Sequence, residues 1–235
     1  MSKLGVVLLY TRINLKIVFG LKALIILAVA FIYVVILCLI AVMTDALRLT
    51  GEEALLFVVW IPLTVFAVLF SMDIISKERD ANLIETFFTV SVSVYRLWLL
   101  KFMTLMASLT LLAFLLIVGT DIIIVDLPIW IALVNVLPPV LFFASLTVLF
   151  SSLLNSANAA AMCVTAILAF VMLTYEGLAT TPIYPFLNPL EKPLQVEAFI
   201  WVRNAVWNKI LYTLFGCVWF WLALKRLDRR ERMLK

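Results

Sequence analysis

Six apolar stretches dominate the pattern of the chain. They lie near Ala23–Met43, Ala54–Met72, Phe102–Thr120, Ile129–Phe150, Ala157–Tyr175 and Ala205–Leu224. Each is close to the roughly 20 residues that an α-helix needs to cross a hydrocarbon core. The polar stretches between them are too short to hold a folded domain. The pattern predicts an all-α integral membrane protein, a single transmembrane domain over residues 1–235 with six transmembrane helices. Residues 4–19 add a further helix ahead of the first span: Val6, Tyr10, Ile13 and Ile17 share one face, and Arg12 and Lys16 stack on the neighbouring one. That arrangement suits an N-terminal helix lying in the membrane interface, and equally a basic flank that fixes orientation. Arg12 and Lys16 interrupt the short apolar run Val6–Tyr10, so the N-terminus does not read as a cleavable signal peptide.

Composition agrees with the pattern. Apolar residues make up 66% of the 235, well above the half that is usual for a soluble domain. Charge then sets an orientation, since lysine and arginine concentrate on the cytoplasmic side. With six spans both termini share a side, and that side carries fourteen of the eighteen basic residues. They comprise four before the first span, Lys77, Arg79, Arg96 and Lys101 between the second and third, and six in the tail from Lys225. The opposite side has Arg48, Lys192, Arg203 and Lys209. Both termini are therefore expected in the cytoplasm, and the protein in the cytoplasmic (inner) membrane. The net positive charge follows from this asymmetry and from attraction to anionic lipid; it gives no reason to expect nucleic acid as a partner.

Candidate chemistry is sparse. There is no histidine, and Cys38, Cys163 and Cys217 all fall inside expected spans, so neither a His-based metal site nor a disulfide framework is indicated. No cluster of carboxylates, histidines or cysteines offers acid–base, nucleophilic or metal chemistry. Asp73 and Glu176 sit at span ends and read as interfacial. The fourth span contains Pro138 and Pro139, which remove two backbone donors and predict a kink; such a break can serve packing or mark a substrate pathway. In the fifth span Ala157, Ala161, Thr165 and Ala169 recur every four residues. Small residues at that spacing make a packing face for close helix approach, within the subunit or between subunits. After the fifth span, Pro182, Pro185, Pro189 and Pro193 forbid a continuous helix in the outer segment 177–203. Its aromatic residues fit a segment that dips toward the membrane surface before the sixth span, or a plain loop. Lys209, about one turn into that span, is expected to snorkel outward.

The most informative polar stretch is Ser76–Lys101, SKERDANLIETFFTVSVSVYRLWLLK. Lys77, Glu78, Arg79 and Asp80 extend the second span. Leu83, Ile84, Phe87 and Phe88 then fall on one face of a helix, opposite Asn82, Glu85 and Thr89. A short amphipathic helix of this kind presents an apolar ridge to a lipid surface or to the groove of a soluble protein. The stretch resembles the cytoplasmic loop of ABC-2 type transporter permeases. Their pattern is roughly E-R-E-x-G-T-L-E-x-L-L-x-x-P-V-S-R, with a lysine opening the third span a few residues later. Here Glu78, Arg79, Asp80, Ala81 and Glu85 match, Phe87 and Phe88 stand where paired leucines are usual, and Arg96 and Lys101 fit the basic end. Asn82-Leu83 replaces the usual Gly-Thr, and Ser91 the usual proline. The six spans, the basic N-terminal helix and the long outer segment before the last span also match that family.

The resemblance implies the membrane-spanning subunit of an ATP-driven exporter. It would pair with a second permease copy or homologue as a dimer and dock on a cytosolic ATP-binding subunit. Glu78, Arg79, Asp80, Leu83, Ile84, Glu85, Phe87 and Phe88 would form the coupling helix and the stalk above it. ATP and magnesium would be held by the partner ATPase, since this chain has no G-x-x-x-x-G-K-[ST] loop and its six glycines are scattered; the chain itself is not expected to be an enzyme or to hold a cofactor. The apolar spans lean toward a lipid, an amphipathic peptide or a hydrophobic drug as cargo. Two other readings remain open, an ion-gradient-driven secondary transporter and a non-transporting membrane anchor or assembly protein.

Overall fold

The computed structural model describes residues 50–80, 94–154, 156–190 and 196–234, together with Ala28, Ile32, Tyr33 and Ile36. The regular elements are α1 (Gly51–Ala54), a π-helical segment (Leu55–Trp60), α2 (Ile61–Asp80), α3 (Val94–Ile123), α4 (Ile129–Leu154), α5 (Ala157–Leu173), α6 (Tyr175–Leu178) and α7 (Ala198–Leu234). Among the described residues there is no strand, as the pattern predicts. The N-terminal helix of residues 4–19 lies outside the described residues. So do most of the first expected span, residues 23–43, and the island residues 81–93.

Four helices are long and apolar enough to cross a membrane: Leu55–Ile75, Trp98–Ile123, Ile129–Leu154 and Ala198–Leu227. They correspond to the second, third, fourth and sixth expected spans. The last starts seven residues ahead of the expected Ala205. The fifth is shorter than expected. α5 has 17 residues, about 25 Å of helix against a hydrocarbon core of about 30 Å. Thr174 caps its C-terminus, with its hydroxyl donating to the carbonyls of Phe170 (2.9 Å) and Val171 (3.2 Å). At its start the Ser156 hydroxyl accepts from the Ala159 amide at 3.3 Å, an N-cap.

The outer surface of the bundle is hydrocarbon. On α3 the exposed side chains Met103, Leu111 and Leu115 recur at multiples of four residues, and on α7 Val202, Val206, Ile210 and Leu214 do the same. Apolar patches of this extent are rare on water-soluble monomers and are what lipid requires.

α4 is the spine, in contact with α2, α3, α5, α7 and the π-helical segment. It runs on through Pro138 and Pro139, both buried, leaving the carbonyls of Val134 and Asn135 without their usual i+4 amide donors. On α5 the residues packed inward are Ala160, Val164 and Leu168. The small-residue row lies beside that stripe, with Ala157 and Ala161 half-buried and Thr165 and Ala169 exposed. At the start of α2, Pro62 cannot donate to the carbonyl of Val58 and its ring crowds that carbonyl. The preceding turn widens accordingly, and the Ile61 amide bonds to Leu56 five residues back.

One end of the bundle is basic. The Lys101 ammonium lies 5.0 Å from the Trp98 ring centre and that of Lys225 4.8 Å from the Trp221 ring centre. Arg226 donates to the Ser152 carbonyl at 3.3 Å, a cation on the C-terminal end of α4 where the helix dipole favours it. Phe102 stacks on Phe220 at 4.0 Å beside this group.

α4 and α7 come closest at Gly216. A Cβ there would meet Leu141 Cγ at 2.9 Å and the Leu141 carbonyl carbon at 3.3 Å, whereas one at Gly119 would meet nothing within 4 Å. Gly216→Val is therefore expected to lower the detergent-solubilised melting temperature by several degrees, corresponding to an overpacking cost of about 1–3 kcal/mol. Gly119→Ala should leave it unchanged or slightly raised.

Candidate functional site

The densest polar arrangement among the described residues is the segment that follows α6, expected from the sequence to be an outer one. Residues Tyr184–Asn188 are buried. They go beyond dipping toward a surface, because Phe186 stacks on Phe143 with ring centres 6.2 Å apart. Phe143 lies fourteen residues into α4, about 20 Å along its axis. The segment therefore re-enters the bundle. It does so as a chain of tight turns: the Thr181 amide bonds to the Leu178 carbonyl (2.8 Å), Tyr184 to Thr181 (3.2 Å) and Leu187 to Tyr184 (3.2 Å). Pro182 and Pro185 each occupy the second position of one of these turns, where a fixed φ suits the chain.

Turns leave carbonyls without partners, and α7 supplies the missing donors. Asn208 Nδ2 donates to the carbonyls of Pro182 (2.8 Å) and Tyr184 (2.6 Å). Asn204 Nδ2 donates to Thr180 at 3.1 Å, and Lys209 Nζ to Leu187 at 3.0 Å. The Tyr212 hydroxyl donates to Ile183. These four side chains lie at i, i+4, i+5 and i+8, one face of α7. Aromatic packing fixes the same segment from the other sides: Trp60 against Phe186 at 5.8 Å, Tyr184 against Phe186 at 5.8 Å, and Tyr212 edge-on to Phe142 at 5.0 Å.

Lys209 does not snorkel outward. Its ammonium is turned onto the Leu187 carbonyl and lies 5.4 Å from the Trp60 ring centre. A lysine at depth in a membrane costs about 3 kcal/mol on insertion scales. A charge-assisted hydrogen bond and a desolvated cation–π contact of about 2 kcal/mol offset it. Several buried polar atoms nearby have no partner: Trp60 Nε1, Asn188 Nδ2, Trp201 Nε1 and Asn208 Oδ1.

The residues singled out from sequence lie elsewhere. Glu78, Arg79 and Asp80 form the last turn of α2. Leu83, Ile84, Glu85, Phe87 and Phe88 lie outside the described residues. Pro138 and Pro139 are on α4, a turn before Phe142 and Phe143. Hydropathy does not disclose the α7 row, because asparagine and tyrosine in an apolar run count there as polar interruptions and not as donors. The spacing Asn204-x-x-x-Asn208-Lys209-x-x-Tyr212, after a segment rich in proline and so poor in internal bonds, was the available signal. Among the described residues no group of His, Cys, Asp or Glu could hold a metal ion. Comparison with protein-family models, with curated proteins and with solved structures found no match.

Asn208→Leu should loosen the re-entrant segment most, because it strands the Pro182 carbonyl and removes one of two donors from that of Tyr184. The expected cost is about 1–3 kcal/mol, read as faster limited proteolysis between Ala179 and Leu190. Asn204→Leu, at the more exposed bond, should change the rate less.

Proposed function

We propose that the protein is the membrane-spanning subunit of an ATP-binding cassette exporter of the ABC-2 type, driven by a separate cytosolic ATPase that holds the nucleotide and magnesium. The observation that carries this reading is the continuity of the helices on either side of the island. α2 is buried over most of its length through Ile75 and continues unbroken to Asp80. α3 begins at Val94, ahead of its buried residues Trp98 and Phe102. Residues 81–93 are thus tied on both sides to helices fixed in the bundle. A partner that moved this stretch would move whole helices, because packed elements shift as bodies between discrete arrangements. The motif resemblance over Glu78–Lys101 supplies the identity of such a partner.

On this reading Leu83, Ile84, Phe87 and Phe88 form the apolar ridge of a coupling helix, and a second permease subunit completes the pathway. The basic end formed by Lys101, Lys225 and Arg226 supports a cytoplasmic location for the island and both termini, by the positive-inside rule. The exposed small residues Thr165 and Ala169 are available to a second subunit or to lipid. A second reading, transport driven by an ion gradient, is favoured by one observation, the lysine at position 209 inside a span-length helix.

Co-purification of an ATP-binding chain with the native protein is the expected result. Phe87→Asp and Glu85→Lys should each abolish that association while leaving the permease folded. Retained association and ATP-dependent activity in both variants would remove the coupling helix from this position. Uptake by the protein alone in liposomes, dependent on an imposed ion gradient and indifferent to ATP, would establish the second reading instead.

A further inference from the structure

The Lys209 ammonium carries three donors, and one is used on the Leu187 carbonyl. Among the described residues no carboxylate pairs with it. Beside it are two buried N–H groups without partners. Trp60 Nε1 belongs to the ring that faces the ammonium at 5.4 Å. Asn188 Nδ2 belongs to the residue next to Leu187. The orientation of both amides follows from their bonds. The Oδ1 of Asn188 accepts from the Leu190 amide at 3.1 Å, which leaves Nδ2 free. Asn208 must turn Nδ2 toward the two carbonyls it serves, which leaves Oδ1 free.

The result is a cation with no carboxylate partner and two unpaired N–H donors against one unpaired acceptor, inside an apolar bundle. A buried donor left unmade is costly, and a cation without a counter-charge favours an anion beside it. A cationic guest is disfavoured, because the Lys209 ammonium already occupies the carbonyl and the face of Trp60. Water could satisfy single donors but not the charge. A group with several acceptor oxygens and a negative charge satisfies both.

We propose that Lys209, Trp60 Nε1 and Asn188 Nδ2 form a binding subsite for an oxyanion, a phosphate or carboxylate group, reached when the part of the re-entrant segment ahead of it, Thr180–Tyr184, shifts from its seat. The hydrocarbon surroundings suit the group best as the head of an amphiphile. As a statement about cargo the inference rests on the exporter reading; as a statement about binding it stands alone. Asn204, Asn208 and Tyr212 hold Thr180–Tyr184 through side-chain bonds to its carbonyls, whereas Lys209 holds Leu187 and with it the neighbouring Asn188.

The test uses the intact chain in phosphatidylcholine nanodiscs, without nucleotide or ATPase, and titrates decyl phosphate, decanol and decyltrimethylammonium by calorimetry. Decyl phosphate should bind at least about tenfold more tightly than the other two, as a charge-assisted set of hydrogen bonds requires. Lys209→Met should weaken it by about tenfold or more, and Trp60→Phe and Asn188→Leu several-fold each. Trp60→Phe keeps an aromatic ring beside Lys209 and removes the donor. Arg203→Met, which removes an exposed cation from α7, should leave binding unchanged. Competition by inorganic phosphate would assign the site to a free oxyanion, and its failure to compete would assign it to an amphiphile head; both support the subsite. Equal affinity for decyl phosphate and decanol would overturn it. So would wild-type affinity in Trp60→Phe and Asn188→Leu, or an equal loss in Arg203→Met, either of which reduces the effect to surface charge. None of these outcomes depends on association with an ATPase, so failure here and failure of the exporter reading are separate results.

Discussion

Backbone carbonyls away from water must find donors, and the re-entrant segment exists because α7 provides them. Inside lipid only helices satisfy their own backbone; irregular chain is tolerated where protein surrounds it. Pro182 and Pro185 force the segment into turns whose internal bonds leave the carbonyls of Thr180, Pro182, Ile183 and Leu187 open. One face of one helix then serves all four, and a second donor reaches Tyr184. The asparagines and the lysine are costly in an apolar helix, and the open carbonyls are costly in an apolar bundle; each removes the other's penalty. The segment and the α7 face are therefore one structural unit, although more than twenty residues separate the bonded partners.

That unit depends in turn on how closely α7 lies against α4. Gly216 allows the approach to Leu141, and one turn earlier Tyr212 meets Phe142 edge-on at 5.0 Å. The same α4 surface continues to Phe143, which carries Phe186 of the re-entrant segment. A small residue on one helix and paired aromatics on the other thus set the distance at which the Asn208 amide reaches two carbonyls at once. Membrane bundles rely on such shape fitting, because lipid tails are as apolar as the side chains and burial alone favours no particular neighbour.

Length and hydropathy made most of the helices legible, because a span must be both long and apolar. Helices long and apolar enough to cross a membrane appear at the positions of the second, third, fourth and sixth expected spans. The ends were less legible: α5 stops at Leu173, next to Thr174, and α7 starts at Ala198, seven residues ahead of the expected Ala205, with Trp201 buried in that added stretch. The re-entrant site was hidden for a further reason. Hydropathy reads Asn208 and Lys209 as defects in a span, and nothing within the span shows that carbonyls twenty residues upstream need them. Proline spacing disclosed that the outer segment could not be helical, but not that its turns would face inward.

Trp60 and Asp80 lie at the two ends of one nearly continuous helical run, Trp60 at the junction of the π-helical segment with α2 and Asp80 at the last position of α2. About 30 Å of helix separates them. A helix buried on so much of its surface moves as a body. A displacement that drew Asp80 along the axis would shift the Trp60 ring relative to the Lys209 ammonium, and with it the seat of Phe186. The π-helical turn is where such motion would meet the least resistance, since the Ile61 bond to Leu56 already departs from α-helical register. The island at one end and the donor cluster at the other are thus linked by α2, with α4 and α7 holding the fixed side of the cluster. On the proposed exporter reading, a movement imposed at the island would reach the re-entrant segment through α2.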